Sequence, residues 1–109
     1  MKGGENMSVA PITPYEAYWR SLQNRIFEEI NRILVERFID ADSEVKIYKR
    51  EIIEGVLKIT QRDKESSLAK ELRENYNWSD ALRKYGNAGW DWSSDSNVNA
   101  FTFSISKEN

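Results

Sequence analysis

From Tyr15 onward, apolar side chains recur every three or four residues: Tyr15, Trp19, Leu22, Ile26, Ile30, Ile33 and Leu34 fall on one face of a helix. Phe27, Val35, Phe38 and Ile39 widen that face. Arg20, Gln23, Asn24, Glu28, Arg32 and Glu36 take the solvated side, where Glu28 and Arg32 are spaced as a favourable i,i+4 pair. Thr13-Pro14 reads as the start, with Thr as N-cap and Pro at the first helical position, where its missing N–H costs nothing. Glu16, three residues after Thr13, completes a capping box. Asp40-Ala41-Asp42-Ser43 ends a helix that is long for a chain of 109 residues.

Residues 44–60 admit three readings. Val45, Tyr48, Ile52, Val56 and Ile59 fit one helical face; Val45 and Ile47 can instead form a short strand before a helix from Lys49 to Ile59; or a hairpin can turn at Glu54-Gly55. The helical spacing of Ile52, Ile53, Val56 and Leu57 favours the short extended piece followed by a helix. Thr60 to Glu65 is a polar connection. Ser66 or Ser67 can cap a further helix bearing Leu68, Ala69, Leu72 and Tyr76 on one stripe. Asn75-Tyr76-Asn77 interrupts it, and Ser79-Asp80 restarts it through Ala81, Leu82 and Tyr85. Gly86 and Gly89 are stop signals, one of them suited to a left-handed C-terminal cap.

Beyond Gly89 the period changes to two. Trp90 and Trp92 alternate, Ser93 to Asn97 reads as a loop, and Phe101, Phe103 and Ile105 alternate with Ala100, Thr102 and Ser104 as a half-buried strand. The aromatic pairs can face one another across an antiparallel hairpin. The predicted fold class is α+β: a long N-terminal helix, two or three shorter helices and a C-terminal antiparallel β-hairpin. Residues 1–13 form a flexible leader, 14–106 a single domain, and 107–109 a frayed end. This is also the element order of a winged-helix domain, with the recognition helix between Ser66 and Tyr85 and the wing at Ser93 to Asn97.

Composition sets limits on the chemistry. Hydrophobic residues make up 39%, charged residues 31% and aromatics 12%, the balance of a chain that folds around one core. Histidine and cysteine are both absent, which removes the commonest general base, the usual zinc ligands, serine–histidine triads and thiol nucleophiles. No Gly-rich phosphate loop opens a helix. Carboxylates remain, but Glu28-Glu29 and the pair Glu71 and Glu74 are expected on solvated helix faces beside Arg and Lys. The expectation is a protein that is not an enzyme and uses no cofactor or metal. Nothing approaches the roughly 20 apolar residues of a membrane span, the first residues lack a signal-peptide core, and cysteine absence fits a reducing cytoplasm.

What remains are surfaces. Tyr15, Tyr18 and Trp19 cluster at the start of the first helix and are candidates for contact with a protein partner or a second copy, because Trp and Tyr are enriched at such contacts. In the alternative, winged-helix reading, Lys70, Arg73, Arg83 and Lys84 would contact nucleic acid. Against it stand Glu65, Glu71, Glu74 and Asp80 interleaved with them, a wing without Lys or Arg, and a net charge of −2. The stretch Tyr85-Gly86-Asn87-Ala88-Gly89-Trp90-Asp91-Trp92, a helix end running into an aromatic strand, resembles the C-terminal part of many small tailed-phage proteins. The likeness covers roughly 30 residues with the following strand, a supersecondary unit's length. It implies a viral origin and assigns no activity or site. The sequence therefore points to a non-enzymatic binding or assembly protein.

Overall fold

The computed structural model describes residues 10–106. These hold α1 (Pro14–Arg37), β1 (Val45–Tyr48), α2 (Lys49–Thr60), α3 (Ser67–Glu74), α4 (Trp78–Asn87), β2 (Trp90–Asp95) and β3 (Ala100–Ile105). The α+β class is as expected from the sequence. Residues 10–13 of the expected leader are exposed and without regular structure. Residues 1–9, and the expected frayed end at 107–109, lie outside the described residues.

α1 begins where its cap dictates: the Glu16 N–H donates to Thr13 Oγ1 at 3.1 Å. The capping box is only half formed, because the Glu16 carboxylate turns the other way to Arg20 Nη2 at 2.8 Å. Leu22, Ile26, Ile30, Ile33 and Leu34 are buried as their spacing requires. Val35 and Ile39, assigned to the widened face, are 82% and 84% exposed. Val35 lies a further 100° around the helix from Leu34, and the helix stops at Arg37 with Phe38 already extended, so Ile39 no longer follows the helical phase. Arg32 pairs with Glu29 at 3.1 Å and Glu36 at 2.8 Å rather than with Glu28.

Glu29 is a second correction. Expected on a solvated face, it is 4% exposed because α2 crosses α1 above it at Gly55. A Cβ at Gly55 would stand 2.1 Å from Glu29 Oε1, so the absence of a side chain there makes room for the carboxylate. Arg32 keeps that carboxylate paired from the solvent side.

Residues 44–60 resolve as the strand followed directly by a helix. β1 supplies what the sequence did not place: it pairs with β3, so the C-terminal hairpin becomes a three-stranded antiparallel sheet in the order β1-β3-β2. Val45 lies opposite Phe103 and Ile47 opposite Phe101, while Trp92 lies opposite Phe103 on the other side. These side chains share the face turned to the helices. Lys46, Tyr48, Thr102, Ser93 and Asp91 share the other parity. β2 runs on to Asp95, so the loop expected from Ser93 is really a four-residue turn, 96–99, with Asn99 left-handed at φ 52°. Gly89, at φ 107°, is the glycine that adopts the positive φ predicted at the end of α4.

Every element reaches the core. Phe103 of the central strand is fully buried, as are Ile26 and Ile30 of α1, Ile47 of β1, Ile52 and Val56 of α2 and Leu72 of α3. Burial of side chains of this size is worth about 1.5–3 kcal/mol each relative to exposure. A single nucleus therefore ties the long helix to the sheet. Surface grooves lie at both ends of the β2–β3 hairpin and where α1 meets α2 and the turn between α3 and α4.

Candidate functional site

The first region lies where α1 meets the turn between α3 and α4. Asn77 caps α4 by accepting the Asp80 N–H on Oδ1 at 3.1 Å, and on either side of it Tyr76 meets Trp19 of α1 while Trp78 packs on the sheet. Trp19 is half-buried and stacks on Tyr76, with ring centres 6.1 Å apart and planes at 24°. Tyr76 meets Trp78 edge-on at 5.0 Å, and Trp78 lies against Phe101 at 5.8 Å. Tyr15 and Tyr18 approach Trp19 edge-on at 5.7 and 5.3 Å. The edge-on and stacked pairs have geometries that aromatic quadrupoles favour, while Trp78 and Phe101 are tilted at 33°.

Of the three predicted contact residues, Tyr15 is 72% exposed and Tyr18 43%, whereas Trp19 lies beneath them. Its Nε1 is buried and has no hydrogen-bond partner among the described residues. Tyr18 also forms one wall of a groove of about 410 Å³ with Ser21, Arg25, Ile59, Arg62 and Leu68. Ile59 is half-exposed there. Burial and the nearby Glu71 charge push the Tyr18 hydroxyl above its ordinary pKa, so it enters any contact as a neutral hydrogen-bonding group. Sequence spacing located the aromatic cluster but could not find Ile59, which joins it only because α2 ends beside α1.

The four basic residues of the alternative reading do not form one surface. Arg73 lines a groove of about 200 Å³ with Lys49, Arg50, Ile53 and Asn99, beside the β2–β3 turn. Lys84 lines another with Phe27, Asn31, Tyr85 and Trp90, at the opposite end of the hairpin. Six residues of strand separate those ends by about 17 Å at ~3.4 Å per residue. Arg83 is taken up by Asp80 at 2.6 Å, and Lys70 is exposed on α3. Lys49 and Arg50 were missed. Their signal was legible, since two cations in the first turn of a helix run against its dipole.

Chemistry elsewhere is structural. The Arg37 guanidinium grips Glu51, whose other role is to accept the Tyr48 N–H at 2.9 Å. The Arg37 hydrogen bond in particular holds the Glu51 carboxyl below the usual range. Tyr85 donates to Asn31 Oδ1 at 2.7 Å and joins α4 to α1; burial raises its pKa. Beside Trp19 a further groove carries one carboxylate, Asp80, already paired with Arg83. Among the described residues no three acidic, His or Cys side chains converge as a metal site, and no helix is long and apolar enough to cross a membrane. Compared with protein-family models, curated proteins and solved structures, the chain matches none.

Proposed function

We propose that this protein is a non-enzymatic binding or assembly module that recognises a protein partner through the Tyr15–Tyr18 surface and the groove running from it to Ile59. One observation carries the reading. Two tyrosines are held outward by a tryptophan that is itself fixed against Tyr76, so the exposed rings are braced before any partner arrives. Preorganised aromatic side chains lose little rotamer freedom on association, which is why such residues dominate binding energy at contacts. Ile59 extends the apolar area, and Arg25 and Arg62 at its margin make no ion pair among the described residues. They supply the polar rim that surrounds an apolar centre. The likeness of Tyr85–Trp92 to small tailed-phage proteins supports a viral setting for that partner.

The test is affinity capture from the native cell or an infected host with the wild-type chain and Tyr15→Ala/Tyr18→Ala side by side. The reading expects a protein retained by the first and lost by the second, with unchanged circular dichroism. Sedimentation over a range of concentrations separates a foreign partner from a second copy. Capture indifferent to both substitutions sinks the assignment.

A further inference from the structure

We infer that the groove between the start of α2, the end of α3 and the β2–β3 turn is a binding site for the phosphate backbone of a nucleic acid, contacted by Lys49, Arg50 and Arg73. The inference is independent of the Tyr15–Tyr18 surface. Its first support is charge. The groove is lined by Lys49, Arg50, Ile53, Arg73 and Asn99, three cations and no carboxylate, in a chain whose net charge is −2. None of the three is ion-paired among the described residues; Arg73 spends one N–H on the Lys64 carbonyl at 3.1 Å.

The Arg50 charge reaches Glu51, but no acid lines the groove. Glu51 is bound to Arg37 and to the Tyr48 N–H. Asp95, at the hairpin end, accepts the Asn97 N–H within its own turn at 3.0 Å. Glu54 and Glu74 are exposed on the same helices and outside the lining. The positive surface also continues past the groove. Lys46 Nζ and the Arg50 guanidinium lie over the Tyr48 ring, 5.5 and 5.3 Å from its centre, and Lys49 Nζ is 5.6 Å from the Trp78 ring. Cation–π contacts of this kind hold the charges at the surface without neutralising them.

Local electrostatics give a second argument. Cations in the first turn of a helix are disfavoured by about 0.3–1 kcal/mol against its dipole. α2 opens with Lys49 and Arg50 even so. A bound anion reverses that sign, because the cations then face opposite charge. Groove size decides the class of anion. At about 200 Å³ it falls below the ~300–1,000 Å³ typical of small-molecule pockets, yet it is open along one side. A strand of a DNA duplex offers one phosphate per ~3.4 Å of helix axis, a regular run of compact charges for three clustered cations to meet.

The test is fluorescence anisotropy with a fluorescein-labelled single strand of about 16 nucleotides and with the matching duplex, from about 50 to 200 mM salt. At least one form should bind at the low end, with affinity falling linearly on logarithmic axes. Arg50→Glu/Arg73→Glu should weaken binding at least about tenfold and flatten the salt slope by about 0.7–0.9 for each phosphate no longer neutralised. Arg50→Gln/Arg73→Gln should give the same direction with a smaller effect, which guards against a folding artefact. Arg83→Glu/Lys84→Glu and Tyr15→Ala/Tyr18→Ala should bind as wild type. Absence of binding to both forms at low salt overturns the site. So does an equal weakening on Arg83→Glu/Lys84→Glu, or equal competition by polyglutamate, which would mark general charge attraction.

Discussion

Two tryptophans flank Tyr76, and they are built on different terms. Trp78 is 8% exposed, and its indole N–H donates to the Leu72 carbonyl at 3.0 Å. That carbonyl belongs to the last turn of α3, where the helix offers it no N–H of its own, so one bond satisfies two groups. Trp19, on the other side of the same tyrosine, is half-buried and its enclosed N–H has no partner among the described residues. Burying an amide-like donor unpaired costs about 1–3 kcal/mol. The difference separates a residue that closes the fold from one that braces an outward-facing surface.

Truncation should expose this asymmetry most strongly. Trp78→Ala removes the packing against Tyr76 and Phe101 and orphans the Leu72 carbonyl; a loss of about 3–5 kcal/mol in urea unfolding is expected. Trp19→Ala gives up only the buried part of its ring and also discharges the unpaired N–H, so a loss near ~2 kcal/mol is expected. Equal losses would mean that both rings belong to the core, and would remove the bracing role from the Trp19 side.

A smaller effect concerns the ring between them. Burial, with a contribution from Asp80, pushes the Tyr76 hydroxyl up to about 12 from 10.0. A raised pKa in the folded state means that the neutral form is favoured there. This stability is fully present below pH 10 and is lost as pH rises through the folded value. Tyr76→Phe should therefore shallow the fall in stability measured between about pH 10 and about pH 12, while Tyr85, whose pKa burial also raises, contributes equally in both proteins. An unchanged alkaline slope would show that Tyr76 is as solvated as in the unfolded chain and cannot be clamping Trp19.

Much of this was legible in the residues themselves. Thr13-Pro14 marks the start it predicted, and of the alternatives the sequence left open Ser66 rather than Ser67 caps α3 and Gly89 rather than Gly86 is left-handed, because caps and turns depend on near neighbours only. The period of Leu22, Ile26, Ile30 and Ile33 fixed the buried face of α1 for the same reason. What spacing could not show arises from crossings between distant elements. Glu29 reads as a surface acid until α2 lays Gly55 above it. Val45 and Ile47 read as an isolated extended piece until β3 pairs with them. At the candidate sites, Tyr15 and Tyr18 were visible as a cluster, but Ile59 joins them only through the packing of α2. Arg73 was visible as a cation, yet its companions proved to be Lys49 and Arg50. Lys84 is equally basic and stands at the other end of the hairpin, a distance no one-dimensional reading contains.

The finest test of the contrast is Trp19→Phe. Phenylalanine keeps an aromatic plane to stack on Tyr76 and edges for Tyr15 and Tyr18, but has no N–H to bury. Losing part of the ring costs packing, about 1 kcal/mol for the missing atoms, while deleting an unsatisfied donor returns a similar amount. Stability should therefore stay within about 0.5 kcal/mol of wild type, and partner capture should survive because the exposed tyrosines remain braced. The same change at Trp78 takes away a bond that is made and leaves the Leu72 carbonyl without its donor, so Trp78→Phe should be clearly destabilising. If Trp19→Phe proves as costly as Trp78→Phe, the Trp19 indole N–H must have a partner of its own, and the two sides of Tyr76 would be equivalent after all.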